Sequence, residues 1–355
     1  MSTTEAAAPS HIEATTFTRY ADVVQALRHP GLVPIGSAAQ VASTNRSPHI
    51  APNIVPHTAP NIAPHSAPHS ALHAAVQRAL TPAALAAWRD AAAAHAQTLV
   101  NQLPDGAPVD LVGAFAEPWS LELALRVTDA PRDCAKDATA LARRLYLAAA
   151  NACDGRLPAE AGAAAAALAQ ILARSASKNT TIADVQTFVA LTQTLPALLA
   201  GAWRVLINEP VVLAQVLSAP ARVVACVGEL LRLGSPARAV FREAGTDVTI
   251  AQTRLARGDT VALLLAAANR DPTQFQHPQR LDLARDSSGQ LGLGTGLHHC
   301  AGALLVRMAL RVGTEALLTG CSSLTLAGDS CATVWRGGFS MRSPASLTVL
   351  RRRML

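Results

Sequence analysis

One stretch in the last fifth of the chain combines the residue types that a reactive, metal-bound thiolate needs. Residues 293–302 read LGTGLHHCAG, and Gly294 and Gly296 allow the backbone to turn tightly and lie close against a flat ligand. Cys300 follows, directly ahead of an apolar helical pattern that begins near Ala303. A thiolate at a helix N-terminus is stabilised by the helix dipole and by free amide groups. The stretch therefore predicts either a metal-binding thiolate or a buried thiol after a glycine turn.

The same stretch resembles the haem-binding signature of the cytochrome P450 family, Phe-Gly-x-Gly-x-His/Arg-x-Cys-x-Gly. Every fixed position matches except the first, where Leu293 replaces the phenylalanine. The resemblance implies haem b (iron protoporphyrin IX) as cofactor and Cys300 as the axial ligand of its iron. It also implies that His298 faces a haem propionate, and that Gly294 and Gly302 lie against the cofactor together with Leu293.

Two other places resemble the family's propionate-binding residues. Residues 235–242 resemble a strand whose arginine pairs with a propionate, which assigns that role to Arg242. His69 and His73 match a helix on which the family places a histidine and an arginine on successive turns. His73 occupies the arginine position, which weakens the contact at neutral pH because imidazole is then largely uncharged. An exposed helix edge is the alternative interpretation of these two histidines.

A charged pair in the last long helical segment resembles a structural network of the family. Glu229 and Arg232 are three residues apart and therefore lie on one face of a helix. They resemble the Glu-x-x-Arg pair near the haem, and Arg280 resembles the third member of that network. Residues 268–275 closely match a further structural segment of the family. For the pair alone, an ordinary surface ion pair of small energetic worth is the alternative.

The oxygen side of the expected pocket departs from the family pattern. The family carries Ala-Gly-x-Asp/Glu-Thr in a long helix over the haem, where the acid and the alcohol relay protons to dioxygen. Residues 190–194 take that place, with Thr194 as the oxygen-contacting hydroxyl and Thr192 as the alternative in a shifted register. Gln193 replaces the acid, and glutamine can hydrogen-bond but cannot titrate. Leu191 replaces the glycine and is expected to narrow the oxygen groove.

The elements that must position these residues are mostly helices. Apolar periodicity and proline punctuation predict a mainly α fold with a small β part, which agrees with the cytochrome P450 fold implied by the resemblance. Residues 247–251 and 260–265 flank a turn at 257–259 and predict a small sheet, and residues 321–350 alternate like short strands. Pro196 is expected to kink the central helix. The predicted helices after residue 70 are 71–80, 83–103, 118–128, 132–150, 159–175, 182–208, 211–233 and 300–319.

The pattern predicts a flexible lead-in over residues 1–15 and a single cytochrome P450-like haem domain over residues 16–355. Residues 47–70 are rich in proline and histidine and predict a long loop; a histidine-rich metal tract is the alternative. A zinc site from residues 298–300 is disfavoured, because consecutive residues cannot all point at one tetrahedral ion. The N-terminal part is shorter than in the family, so part of the sheet is expected to be missing or supplied differently.

Composition limits the location and the partners. Half of the residues are hydrophobic and 15% are charged, which favours a well-packed globular protein over a disordered one. The net charge is +6, yet no basic stripe interleaved with aromatic residues is present, so we expect no nucleic-acid partner. The six cysteines are scattered and predict reduced thiols. The N-terminus lacks a signal-peptide pattern and no apolar run is long enough to span a bilayer, so a cytoplasmic protein without a membrane partner is expected.

The resemblance implies an oxidoreductase, a haem-thiolate monooxygenase. Such an enzyme inserts one oxygen atom from dioxygen into a small apolar or amphipathic molecule, here expected to belong to specialised metabolite biosynthesis. Electrons would come from a ferredoxin-type partner, met by Arg307 and Arg311 on the face over Cys300. Ordinary solvated helix charges are the alternative interpretation of these two arginines. Two alternatives stay open. One is atypical haem chemistry (peroxide-driven oxidation, dehydration, rearrangement or coupling), and the other is a non-catalytic helper with this fold.

Overall fold

A computed structural model describes residues 14–35, 74–152, 156–174, 184–328 and 333–354 of the chain. Most of the predicted lead-in, the proline- and histidine-rich stretch, and the predicted site residues His69 and His73 lie outside the described residues. Within them the predicted fold class is confirmed, because most residues are helical and the strands form small separate sheets.

The helices follow one another with short connections. We label them α1 (Tyr20–Arg28), α2 (74–79), α3 (Pro82–Gln102), α4 (Glu117–Thr128), α5 (Ala135–Asn151), α6 (Ala159–Ala173), α7 (Val185–Ile207), α8 (Pro210–Ser218), α9 (Val223–Gly234), α10 (Leu265–Ala268) and α11 (Ala303–Leu318). The helical predictions hold to within a few residues, with one error at 211–233. That segment is two helices, because Pro220 excludes a helical conformation at Ala219, whose φ is −149° and ψ 82°.

The sheet next to α1 joins distant parts of the chain. Its strand order is β1 (Thr15–Phe17), β7 (Thr260–Leu263), β4 (Val240–Ala244) and β2 (Leu32–Val33). β1 lies parallel to β7, with Phe17 opposite Leu263, while β4 is antiparallel to both of its neighbours. Part of this sheet was expected to be missing or supplied differently. In the structure, residues 15–17 provide the strand at this edge of the sheet.

The remaining strands form three smaller sheets. β3 (Pro108–Asp110) pairs with β11 (Thr348–Arg353), which pairs with β8 (Cys321–Leu326). β9 (Trp335–Gly337) and β10 (Arg342–Pro344) form a hairpin, so the alternating pattern over 321–350 did predict strands.

Both segments predicted as strands, 247–251 and 260–265, do contain strands, but these strands lie in different sheets. β5 (Val248–Ile250) pairs instead with β6 (Thr253–Leu255), through a tight turn at Ala251 and Gln252 whose φ values are 48° and 67°. The turn at Gly258 exists, with a φ of 94°, but it connects β6 to β7 in a different sheet. The chain makes two turns in succession here, at 251–252 and at 257–259. The prediction used only the second turn, because it contains a glycine.

The central helix α7 organises the core. It is 23 residues long and apolar enough by composition to cross a membrane, but 72% of its most apolar window is buried inside the protein. Its regular pattern is interrupted by a π-turn over Ala190–Thr194, in which the amide of Leu195 donates to the carbonyl of Ala190. Pro196 follows directly and lacks the amide that a regular helix would use there, so the irregularity that was expected at the proline lies in the turn before it.

Candidate functional site

A large cavity opens between α7, the loop before α11, the end of α9 and strand β4. It holds about 1530 Å³ of space that no protein atom fills, part of it open to solvent. Most of its wall is apolar, contributed for example by Leu27 of α1, Leu198 of α7 and Val240 of β4. Among the predicted site residues, the described wall contains Thr194, Arg242, Leu293, Gly294, His298, Cys300 and Gly302.

The loop before α11 presents Cys300 to this cavity. Gly294 and Gly296 have φ values of 70° and 74°, which residues with a side chain adopt only under strain. Gly296 also packs against α1, where an added Cβ would lie 2.7 Å from the carbonyl oxygen of Leu27. The amide of Cys300 donates to the carbonyl of Leu293 at 2.9 Å and closes the loop. The glycine pattern thus forms the tight turn that the sequence predicts.

The Cys300 thiol needs a cation to become a thiolate. Burial raises its pKa, and the backbone amide of Gly302 offsets only part of that effect. The thiol therefore stays protonated in the protein alone, whereas a coordinated metal removes the proton outright. An added Cβ at Gly302 would lie 3.9 Å from the sulfur, so the glycine keeps the space beside it open.

Arg242 is a buried cation without a carboxylate partner among the described residues. Its side chain is 2% exposed on β4, and the guanidinium donates to the carbonyl of Phe241 at 2.7 Å. Burial lowers its pKa to about 10, and no carboxylate contributes to that pKa. A buried, uncompensated charge costs several kcal/mol. An anionic group from a ligand in the cavity, such as a haem propionate, would remove that cost.

Histidine and leucine complete the wall near the cysteine. His298 ends a short 3₁₀ turn, Gly296–His298, and lines the cavity beside Thr295. Leu293, which replaces the family's phenylalanine, is 9% exposed and also lines it. Within the described residues, no group of three or more His, Cys, Asp or Glu side chains could hold a metal ion by itself. One thiol and one buried guanidinium at an apolar cavity fit a metal that arrives within an anionic, flat cofactor, as haem does.

On α7, the π-turn separates the two residues predicted to be catalytic. Thr194 lines the cavity, and its buried hydroxyl has no hydrogen-bond partner among the described residues. Thr192, the alternative, donates to the carbonyl of Phe188 at 2.8 Å and does not line the cavity. Gln193 is 5% exposed and is not part of the wall either. The structure therefore brings Thr194 to the pocket and leaves Gln193 behind it, while Ala190 is the lining residue one turn earlier.

Leu191 is likewise absent from the wall. It is 3% exposed and packs in the main hydrophobic core. The expectation that it narrows an oxygen groove was wrong, because the π-turn directs the side chains of Ala190 and Thr194 to the cavity instead.

A buried network of ion pairs and hydrogen bonds is centred on Glu229 and Arg232 of α9. Arg232 donates to both carboxylate oxygens of Glu229, and both side chains are fully buried. The remaining N–H groups of Arg232 donate to the carbonyls of Asn269, Pro278 and Arg280. This arrangement fastens α9 to the loop that leads towards the cysteine.

The third side chain of this network is Arg285, and the prediction of Arg280 was wrong. The Nε of Arg285 lies 3.0 Å from a Glu229 carboxylate oxygen, with the arginine side chain only 10% exposed. The side chain of Arg280 is exposed, and this residue contributes its backbone carbonyl. Nothing in the sequence distinguishes the two arginines, because the choice depends on how the loop over 278–290 folds back. Asn269 was also missed as an individual contact; its side chain accepts from the amide of Leu291 at 2.7 Å.

Comparison with known proteins finds similarity to one protein family. Residues 223–344 match the family model described as Cytochrome P450. Cytochrome P450 monooxygenase PikC of Streptomyces venezuelae is 34% identical over 166 residues, which are 46% of this chain and 40% of that protein. 6-Deoxyerythronolide B hydroxylase of Saccharopolyspora erythraea is 33% identical over 175 residues, 49% of this chain and 43% of that protein. The chain thus matches less than half of the length of these curated relatives.

The fold extends the likeness to nearly the whole chain. The solved structure of P450BioI, in complex with an acyl carrier protein ligated to hexadec-9Z-enoic acid, superposes with a TM-score of 0.79 at 20% identity. That superposition covers 96% of this chain and 94% of P450BioI. The chain therefore has the cytochrome P450 fold, and Cys300 lines its large apolar cavity. Residues 223–344 are the part of the chain that matches the cytochrome P450 family model, and the curated relatives that this chain resembles are bacterial.

Proposed function

We propose that the protein is a haem-thiolate monooxygenase that inserts one oxygen atom from dioxygen into a small apolar or amphipathic molecule. The observation that carries the proposal is the joint placement of the Cys300 thiol and the unpartnered Thr194 hydroxyl on the wall of one largely apolar cavity. Cys300 would ligate the iron of haem b, while Arg242 and His298 would bind propionates. Bound haem supplies the oxygen-activating chemistry, which a thiolate ligand favours by donating electron density to the iron.

The chain's own residues would bind, orient and deliver protons. Apolar side chains such as Leu198, Val240 and Met341 would exclude water from the substrate. The Thr194 hydroxyl has free donor and acceptor capacity at the cavity, so it would hold a water or pass a proton there. Gln193 cannot titrate and does not line the cavity, so we assign it a structural role beside Thr194 rather than a proton-relay role.

The absence of a titratable side chain at Gln193 supports a second candidate function, an enzyme that uses peroxide instead of dioxygen. No carboxylate from residues 190–194 reaches the cavity wall, so the family's acid for proton delivery is absent there. Peroxide already carries two of the required electrons and its own protons. Turnover with a ferredoxin system and dioxygen supports the monooxygenase; turnover with hydrogen peroxide alone supports the second candidate.

The proposed electron donor is a ferredoxin-type protein that docks over the cysteine loop. On this face, Leu297 and Leu304 are 61% and 59% exposed, and Arg307 and Arg311 lie on α11 nearby in the sequence. Arg311 already pairs with Glu315 at 3.3 Å, so Arg307 contributes more of the free positive charge. A cytoplasmic location and a role in specialised metabolism complete the proposal; the similarity to 6-deoxyerythronolide B hydroxylase supports the latter.

The carbon monoxide difference spectrum of the reduced protein tests the proposal. We expect the red-shifted Soret band of a thiolate-ligated haem. Cys300→Ser should abolish that band, and Cys226→Ser should keep it, because Cys226 is fully buried between helices and does not line the cavity. A protein without the band, including one that binds no haem, would be the non-catalytic helper instead.

A further inference from the structure

The cavity wall carries a single carboxylate among the described residues, Asp184 at the start of α7. The other lining residues with polar side chains near it are Gln186 and Thr187, and the rest of the helix face towards the cavity is Ala190, Thr194 and apolar residues. The cationic and histidine side chains of the wall lie elsewhere, on β4 and on the loop before α11. The cavity therefore has one acidic end on α7, separate from the residues assigned to the cofactor.

The Asp184 carboxylate also caps α7, but capping does not use all of its capacity to accept hydrogen bonds. One carboxylate oxygen accepts from the amide of Gln186 at 3.1 Å, and the other accepts from the amide and hydroxyl of Thr187 at 2.9 and 3.0 Å. A carboxylate has about four acceptor positions, and the three hydrogen bonds leave about one of them unused. Helix capping needs only an acceptor, and asparagine caps as well as aspartate. The negative charge at the cavity wall is thus a property that the cap does not require.

We propose that Asp184 selects substrates with a positively charged group and rejects those with a carboxylate. The proposal rests on the function proposed above and names the substrate class of the same cavity. A charge at the wall of an apolar cavity acts through a lower effective dielectric than in water, so its preference for the opposite sign is strengthened. The wall contains no second carboxylate among the described residues that would produce this preference in its place.

The position of Asp184 also sets the length of the substrate. Ten residues separate it from Thr194, which corresponds to about 15 Å along a helix at about 1.5 Å per residue. A substrate anchored by its cation at Asp184 would reach the neighbourhood of Thr194 with a carbon skeleton of that length. The substrate class is therefore an elongated apolar molecule with a cationic group at the end remote from the site of oxidation.

Titration of the haem-loaded protein with three dodecyl compounds tests the proposal. Dodecyltrimethylammonium, dodecan-1-ol and dodecanoate share one chain and differ in charge, and the quaternary nitrogen cannot ligate iron. Binding is measured below micelle-forming concentrations by calorimetry and by the Soret shift. We expect the ammonium compound to bind more tightly than the alcohol, and the alcohol more tightly than dodecanoate.

Asp184→Asn should remove this order, because it deletes the charge and keeps one of the two oxygens that cap the helix. We expect the ammonium-to-alcohol affinity ratio to fall about tenfold, or about 1.4 kcal/mol. Asp110→Asn is the matched control. Asp110 also accepts backbone amides, from Val112 at 3.0 Å and Leu347 at 2.7 Å, but it does not line the cavity. The ratio should be unchanged in that variant.

Two outcomes would overturn the proposal: an equal ratio in the wild type and Asp184→Asn, or tighter binding of dodecanoate than of the ammonium compound in the wild type. The carbon monoxide spectrum is measured on the same samples. If its thiolate band is missing, the proposed function fails, while calorimetry still decides whether Asp184 selects cations.

Discussion

Arg280 and Arg285 are the two candidates for the third side chain of the buried network, and substitution of each arginine tests which of them belongs to it. Arg285→Gln removes a charge that lies 3.0 Å from the Glu229 carboxylate, at a site where the glutamate side chain is fully buried. Arg232 keeps both of its hydrogen bonds to that carboxylate, so the loss is smaller than for an isolated buried pair. A hydrogen bond to a charged group contributes about 1.5–3 kcal/mol, and we expect a loss of that size. Arg280→Gln changes an exposed side chain and preserves the carbonyl that Arg232 uses, so its effect should stay within about 0.5 kcal/mol.

Equilibrium unfolding in urea, followed by far-UV circular dichroism, measures both variants under identical haem-loaded conditions. The reasoning predicts a lower midpoint for Arg285→Gln and an unchanged midpoint for Arg280→Gln. An equal loss in both variants, or a larger loss for Arg280→Gln, would refute the assignment of Arg285 to the network. The same result would restore the interpretation based on the family motif.

Three further predictions concern the cavity and its surroundings. Thr194→Ala should lower the amount of product formed per electron consumed several-fold. Thr192→Ala should leave that ratio unchanged, because the Thr192 hydroxyl donates to the carbonyl of Phe188 inside the helix. Turnover assays that measure both product and electron consumption test the two variants. Arg242→Met should weaken haem binding about 10- to 100-fold, the equivalent of a lost charge-assisted hydrogen bond of about 1.5–3 kcal/mol. The position of the Soret band should not change. Transfer of haem to apomyoglobin measures the affinity, and a shifted Soret band would contradict a propionate-binding role for Arg242. Burial raises the pKa of Tyr146 to about 12, above the value of about 10 in an unfolded chain, so its contribution to stability is complete below pH 10 and is lost as the pH rises towards 12. Tyr146→Phe should therefore flatten the alkaline fall in unfolding free energy over that window, and an unchanged fall would contradict the burial argument.

Local patterns predicted those parts of the site that local geometry determines. The positive φ values of Gly294 and Gly296 and the placement of Cys300 ahead of α11 follow from residue types within ten positions. Glu229 and Arg232 were predictable for the same reason, since i,i+3 spacing on a helix brings them together. The helices themselves were read from periodicity and proline positions, and their ends were misplaced by only a few residues.

Features that depend on distant contacts were not predictable. The partner of Glu229 is decided by a loop that returns over more than fifty residues, and two arginines in that loop look alike in sequence. The π-turn in α7 shifts which side chains face the cavity, so the register that placed Gln193 in the pocket and Leu191 over it does not hold. The pairing of β5 with β6 depends on positive φ at Ala251 and Gln252, residues that rarely adopt it.

The parallel pairing of β1 with β7 has a consequence for the order in which this chain is built. Phe17 lies opposite Leu263, 246 residues later (263 − 17), so β1 cannot pair with β7 until the ribosome has added the residues between them. At about 5–20 residues per second, that delay is on the order of 10–50 s. Leu27 of α1 and Val240 of β4, which both line the cavity, belong to parts of the chain that this pairing helps to bring together. Closure of the pocket is thus a late event of synthesis, and the nascent N-terminal segment has to remain available until then.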